Sequence, residues 1–162
     1  MVALAIQYSI PTEVIDSQAF REAIFNQTGL LRRGRILEAF DAHFSTSGVM
    51  YANDRIFGRD ALECRAKQEP FIGTARSIDG RISDVVTCPE MQICCFRNHT
   101  RYVSAHGELV TIDGLHWQQW FNNAIVEERY YSGALQNRRI AQGILTSPES
   151  LPLLLAREES LT

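Results

Sequence analysis

The hydrophobic pattern of this chain changes period once, and that change fixes the fold class. Up to about Pro70 the apolar residues recur at helical spacing, and from Ile82 onward they fall in strand-like runs. Phe20, Ile24 and Phe25 follow Asp16 or Ser17 as N-cap and precede Gly29 as the expected stop, which predicts a first helix. Leu30, Ile36, Leu37, Phe40 and Phe44 form a 3.6-residue stripe, a second helix over 30–44. Val49-Met50-Tyr51 reads as a short strand. Asp60-Ala-Leu-Glu63 is a capping box, in which the aspartate accepts from early backbone N–H groups and the glutamate reaches back. It opens a third helix that ends near Pro70. Strand-forming runs then cover 82–88, 91–103, 108–121 and 124–132, with turns expected at His106-Gly107 and Asn122-Asn123. Helices followed by a meander make an α+β fold, three N-terminal helices on a curved, mostly antiparallel sheet.

Residues 134–162 depart from this plan. Ser147-Pro148-Glu149 starts a helix, and Leu151, Leu153, Leu154 and Leu155 give it an apolar side. The domain division is therefore 1–133 for the α+β body and 134–162 for an extension that packs across the sheet or reaches a second subunit.

With 162 residues, a net charge of −3 and 45% hydrophobic residues, the chain reads as one soluble domain. The acidic balance disfavours nucleic acid and anionic membranes as partners. No run of eighteen apolar residues is present, and Met1–Ile10 lacks the basic start of a signal peptide. The four cysteines, Cys64, Cys88, Cys94 and Cys95, form no C-x-x-C pair, and the histidine spacing completes no zinc motif. They read as reduced, small hydrophobic residues in a cytoplasmic protein with no metal and no cofactor. Cys94 and Cys95, adjacent on a strand, should point to opposite faces. Basic charge is nearly all arginine, and Arg32-Arg33-x-Arg35 reads as a solvated turn.

Both tryptophans, three of the four histidines and three of the five tyrosines lie between Phe96 and Tyr131. Which of them share a face depends on the Asn122-Asn123 turn, because a one-residue slip reverses every side chain. A plain two-residue turn sets Trp120 against Ile125 and His116 against Arg129. A bulged one sets Trp120 against Val126, Gln118 against Glu128 and His116 against Tyr130. The bulged face is the better pocket wall, an apolar surface with a few convergent polar groups. His99, on the neighbouring strand, falls near Gly114 and can share that face. Turned inward, Glu128 is a candidate general base. Turned outward, it pairs with Arg129.

The succession Gly34-Arg-Ile-Leu-Glu-Ala-Phe40, Val49-Met-Tyr-Ala-Asn53, Gly58-Arg-Asp-Ala61, Gln118-Gln-Trp120 and Ile125-Val-Glu-Glu-Arg-Tyr-Tyr131 resembles the SnoaL-like branch of the NTF2-like superfamily. The resemblance covers roughly 30–131. It implies a cone-shaped α+β barrel with an apolar central pocket, usually a homodimer through the open sheet face. It does not fix function, since members include isomerases, cyclases, hydrolases, dehydratases and non-catalytic domains. The base position of the ketosteroid isomerase branch falls near Ala52, with no carboxylate unless Asp54 substitutes. That branch's tyrosine is missing from the first helix, and its second aspartate position falls at His116. The Asp–Arg–Asp set of the epoxide hydrolase branch has only Asp113 and Arg101 to draw on. The small cyclases suggest His116 with Glu128 or Asp54 as acid and base.

Three functions therefore stay open. The first is acid/base isomerisation, cyclisation or hydration of a small hydrophobic oxygenated molecule, with His116, Glu128 and Asp54 catalytic and Tyr51, His99, Gln118, Trp120 and Tyr130 binding the ligand. The second is a non-catalytic ligand-binding module using the same pocket. The third is a dimerisation domain whose pocket is merely core.

Overall fold

The computed structural model describes Val2–Leu161, with side chains described from Ser17 to Leu161. Helices α1, α2 and α3 span Val2–Arg32, Ile36–His43 and Ala61–Gln68. The first helix thus runs through Asp16 and Ser17, which do not cap it, and through Gly29, which does not stop it. The break falls at Gly34, where φ is +76° and a Cβ would lie 2.6 Å from the Ile78 carbonyl oxygen. Only glycine fits there. Leu30 consequently belongs to α1, and the second helix is shorter than predicted. The capping box forms: Asp60 Oδ1 accepts from the Glu63 N–H at 2.9 Å. Glu63 reaches back to the N–H of Arg59, one residue before the cap, at 3.3 Å. Past Gln68 the chain makes a π-helical turn, Glu69–Gly73, that contains Pro70.

Strands β1 Phe44–Ala52 and β2 Arg55–Gly58 make a hairpin between α2 and α3, where one short strand was expected. The rest are β3 Ser77–Asp79, β4 Ile82–Cys88, β5 Ile93–Asn98, β6 Arg101–Val103, β7 Leu109–Thr111, β8 Gly114–Phe121 and β9 Ala124–Tyr131. The runs predicted over 91–103 and 108–121 each divide in two. His99 and Thr100 leave the ladder, their N–H groups going to the Arg81 carbonyl and to Asn98 Oδ1, while the Ile112 N–H goes to the Thr100 carbonyl. The main sheet has the order β2-β1-β9-β8-β5-β4, with β1 and β9 its parallel pair. It is a curved sheet, not a closed barrel, because β2 and β4 remain as edges. The order β3-β6-β7 forms a second, small sheet.

The central strands of the main sheet are buried on both faces. On the inner face Cys94, Phe96, Trp120 and Ile125 pack with Phe20 and Ile24 of α1. On the outer face Ile93, Cys95, Leu115, Trp117 and Tyr131 pack with Ile144 and Leu151 of the C-terminal extension. Cys94 and Cys95 thus face opposite ways, as alternation requires. Burial pushes the Cys64 thiol up to about 11 and the Cys95 thiol up to about 12, so both stay protonated.

The extension consists of α4 Gly133–Ala141, a 3₁₀ turn Pro148–Ser150 and α5 Leu151–Ser160. Trp117 Nε1–H donates to the Pro148 carbonyl at 2.7 Å. Arg139, fully buried, donates to both oxygens of Glu158 (2.8 and 2.9 Å) and to Asp54 Oδ2 (2.7 Å). Asp54 Oδ1 also accepts from the Tyr131 hydroxyl at 2.6 Å. The outer face that the resemblance would leave open for a partner is therefore covered, over β5, β8 and β9, by the chain's own tail. No helix among the described residues is long and apolar enough to cross a membrane.

Arg139→Met should cost about 2–4 kcal/mol, because Asp54 and Glu158 lose a buried, forked partner. Urea unfolding at pH 7 measures it. The hydrogen bonds from Arg139 hold Glu158 below its usual 4.5. A carboxylate lowered on folding stabilises above its unfolded value and loses that contribution as pH falls through the folded one. Wild type should therefore lose part of its stability below about pH 4.5, and Arg139→Met should lose less.

Candidate active site

The β8–β9 hairpin decides which side chains meet. Asn122 and Asn123 have φ of 50° and 61°, the positive pair that a two-residue type I′ turn needs. Beside the turn Phe121 pairs with Ala124 and Trp120 with Ile125. The register then shifts by one, with Val126 as the extra residue, so that Gln119 pairs with Glu127, Gln118 with Glu128 and His116 with Tyr130. Each of the two expected registers thus holds for part of the hairpin. Trp120 stands against Ile125 rather than Val126, and Glu128 faces inward.

A cavity of about 430 Å³ lies between this inner face and the helices. Its wall is largely apolar, with Leu31, Phe40, Met50 and Ile125 among the residues that form it. Gln27, Asn98, His116, Gln118, Glu128 and Tyr130 supply a polar side. Glu128 is the one charged residue lining it among the described residues, and no lysine or arginine does. Phe71 and Ile72 of the π-helical turn also line it, and Phe71 is 62% exposed, which marks the mouth.

The polar groups form a continuous network. His116 Nδ1 lies 3.2 Å from Glu128 Oε2, and His116 Nε2 lies 3.1 Å from Asn98 Nδ2. Gln118 Nε2 donates to Glu128 Oε1 at 2.6 Å and to Gln27 Oε1 at 2.7 Å. Gln118 Oε1 accepts from Gln27 Nε2 and from Trp120 Nε1, both at 3.0 Å. A buried amide with both its hydrogens and its oxygen engaged is a rigid element. The imidazole stacks on Phe96 (5.0 Å, 17°) and leans on Tyr130 (5.0 Å, 58°). The Tyr130 ring lies over Gly114, where any side chain would collide with it. No hydrogen bond reaches its hydroxyl among the described residues. Burial, and then the charge of Asp113, raise its pKa, so the phenol stays protonated.

No protein-family model matches the chain, and no curated protein matches it. Solved structures do. A candidate SnoaL-like polyketide cyclase from Mesorhizobium loti is 20% identical, with a TM-score of 0.53 over 69% of this chain and 97% of that one. An NTF2-like protein of unknown function from Burkholderia pseudomallei is 12% identical, with a TM-score of 0.53 over 75% and 95%. A candidate scytalone dehydratase from Novosphingobium aromaticivorans is 12% identical, with a TM-score of 0.55 over 74% and 85%. The fold is NTF2-like, of the SnoaL-like kind.

Within this SnoaL-like fold the expected site residues divide. His116, Gln118, Glu128 and Tyr130 come together on the cavity wall. Tyr51 borders the cavity, but the Arg129 guanidinium lies 4.0 Å from its ring centre. Trp120 stands behind the wall, edge-on to Phe20, and reaches the site only through its bond to Gln118. His99 leaves the ladder and meets Asp113 at 3.5 Å, outside the cavity. Asp54 lies with Tyr131, Arg129 and Arg139 on the outer side, so it does not replace the carboxylate absent at Ala52. Asp113 and Arg101 stand on no common face, since Arg101 pairs with Thr111 in the small sheet.

Two members of the network, Gln27 and Asn98, escaped sequence reasoning. Both left a signal. Gln27 interrupts the stripe Phe20, Ile24, Leu31 at its buried step, and Asn98 continues the alternation of Cys94 and Phe96. Gln118→Leu should destabilise the protein by about 2–4 kcal/mol, because it strands Glu128, Gln27 and the Trp120 indole together. Trp120→Phe strands one acceptor that keeps a second donor, so its hydrogen-bond cost should be about 1 kcal/mol. Chemical denaturation of the two variants checks the order.

Proposed function

We propose that the cavity binds a small, uncharged, largely apolar molecule carrying oxygen, and that His116 and Glu128 carry out acid/base chemistry on it. One observation carries this reading: an apolar cavity whose single charged group, among the described residues, is a carboxylate hydrogen-bonded to an imidazole. Its volume suits small-molecule sites, which span about 300–1,000 Å³. A negative charge without a lining cation disfavours anionic ligands. In this scheme the ligand displaces the Asn98 amide from His116 Nε2, and a proton then passes from a carbon beside a carbonyl to that nitrogen. The Tyr130 hydroxyl donates to the carbonyl oxygen, and Glu128 stabilises the imidazolium until the proton returns at another atom. Isomerisation, cyclisation and hydration share this step. The four free thiols suit a reducing compartment, and we place the protein in the cytoplasm.

A second reading, a binding module without turnover, is favoured by Ala52 at the base position and by Asp54 on the far side of the sheet. Native mass spectrometry of the purified chain should show a neutral molecule released on denaturation. With that molecule identified, wild type, His116→Ala and Glu128→Gln are compared for binding and turnover. Binding by all three with turnover by wild type alone supports catalysis, with a loss of about 10²–10⁴ in rate for the variants. Binding without turnover by any supports the module. An empty cavity that takes up no small ketone or alcohol offered to it sinks both readings.

A further inference from the structure

The polar network around His116 ends, at both extremities, on groups that can only donate hydrogen. At one end the backbone N–H of buried Thr100 donates to Asn98 Oδ1 at 3.0 Å. This fixes the Asn98 amide, so that its nitrogen faces His116 Nε2 at 3.1 Å. At the other end the Trp120 indole N–H donates to Gln118 Oε1, so that the Gln118 nitrogen faces Glu128 Oε1. An amide nitrogen donates and does not accept. His116 Nε2 is therefore the acceptor from Asn98, and it carries no hydrogen. A ring with Nε2 accepting must hold its hydrogen on Nδ1, which faces Glu128 Oε2 at 3.2 Å. Along both branches a hydrogen points toward the Glu128 carboxylate, while the second Gln118 hydrogen goes to Gln27.

We infer that Asn98 is a positioning residue that holds His116 as the Nδ1–H tautomer, and that the ligand group received beside it is a hydroxyl. The second clause rests on the reading of the cavity as a ligand site. Asn98 and His116 both line that cavity. A hydroxyl inserting between the two can take over the Asn98–His116 bond, giving its hydrogen to the Nε2 lone pair and taking the released Nδ2 hydrogen of Asn98 on its own oxygen. An ether or a bare carbonyl can use only the Asn98 hydrogen. A site built to bond a hydroxyl rejects the analogue lacking it, because its own polar groups are then left unpaired.

The tautomer is read by long-range ¹H–¹⁵N correlation spectra of histidine-labelled full-length protein at pH 8, with His116 assigned by its loss in His116→Gln. Wild type should show the hydrogen on Nδ1. Asn98→Asp retains an acceptor for the Thr100 N–H and turns an acceptor toward Nε2. It should move the hydrogen to Nε2 or give a doubly protonated ring, with the backbone spectrum otherwise preserved. A wild-type hydrogen on Nε2 overturns the inference, as does an Asn98→Asp spectrum with the wild-type tautomer. If Asn98→Asp fails to fold, Asn98→Leu, which removes the donor to Nε2 and leaves the Glu128 bond to Nδ1 in place, should move the His116 Nε2 resonance downfield as its lone pair loses a partner. An unmoved Nε2 resonance in that variant counts against Asn98. For the ligand clause the probes are 2-naphthol and its methyl ether. 2-Naphthol should bind wild type at least about tenfold more tightly and shift the His116 Nε2 resonance. Equal binding overturns the hydroxyl clause. Binding of neither overturns that clause together with the cavity reading, while the tautomer spectrum of the free protein decides the role of Asn98 separately.

Discussion

Val126 has no partner across the β8–β9 pair, and the register of that pair changes by one residue beside it. Counting on from Ile125 at the inner face, strict alternation would send Glu127 and Arg129 into the cavity and Glu128 and Tyr130 away from it. The extra residue reverses this. Ile125 and Glu128, three apart, both face inward, and Arg129 goes out to Glu127 and Asp54. An arginine inside would have paired with any ligand oxygen anion. The cavity instead holds a carboxylate beside the imidazole, and that placement follows from the one unpaired residue.

The second dependence is on the tail. A curved sheet with an apolar outer face needs a cover, and here residues 133–160 supply it within the same chain. The cover is anchored by a guanidinium that gives up all its exposure, a costly arrangement that persists only where several carboxylates and an aromatic face compensate. Asp54, Glu158 and the Tyr131 ring provide this for Arg139. Asp54 therefore has a structural partner for every oxygen, which explains why this carboxylate, two residues past Ala52, takes no part in the cavity.

Much of the fold was legible in the residues. The change of hydrophobic period, the Asp60 capping box, the opposed cysteines and the Asn-Asn turn all express local rules that tertiary packing did not override. The misses have identifiable causes. Gly29 reads as the helix stop in sequence, but the break falls at Gly34, where the approach of Ile78, remote in the chain, demands a glycine. His99 looked like a strand residue because the step out of the ladder is made by Asn98 Oδ1 capturing the Thr100 N–H, a side-chain bond that no periodicity reports. Trp120 was placed on the right face, but helix α1 lies over it. The half-and-half register of the hairpin could not be chosen because each alternative satisfied the same turn residues.

Trp117 and Trp120 are three residues apart on one strand, yet each belongs to a different layer. Trp117 is sealed against Pro148 by the tail, and Trp120 is sealed against Phe20 by the first helix. The protein's intrinsic fluorescence is thus a sum of two local reporters, one for tail docking and one for the inner core. A chain holding only one of them would separate two events that bulk unfolding merges. Whether the tail leaves before the body melts can be observed without attaching any probe.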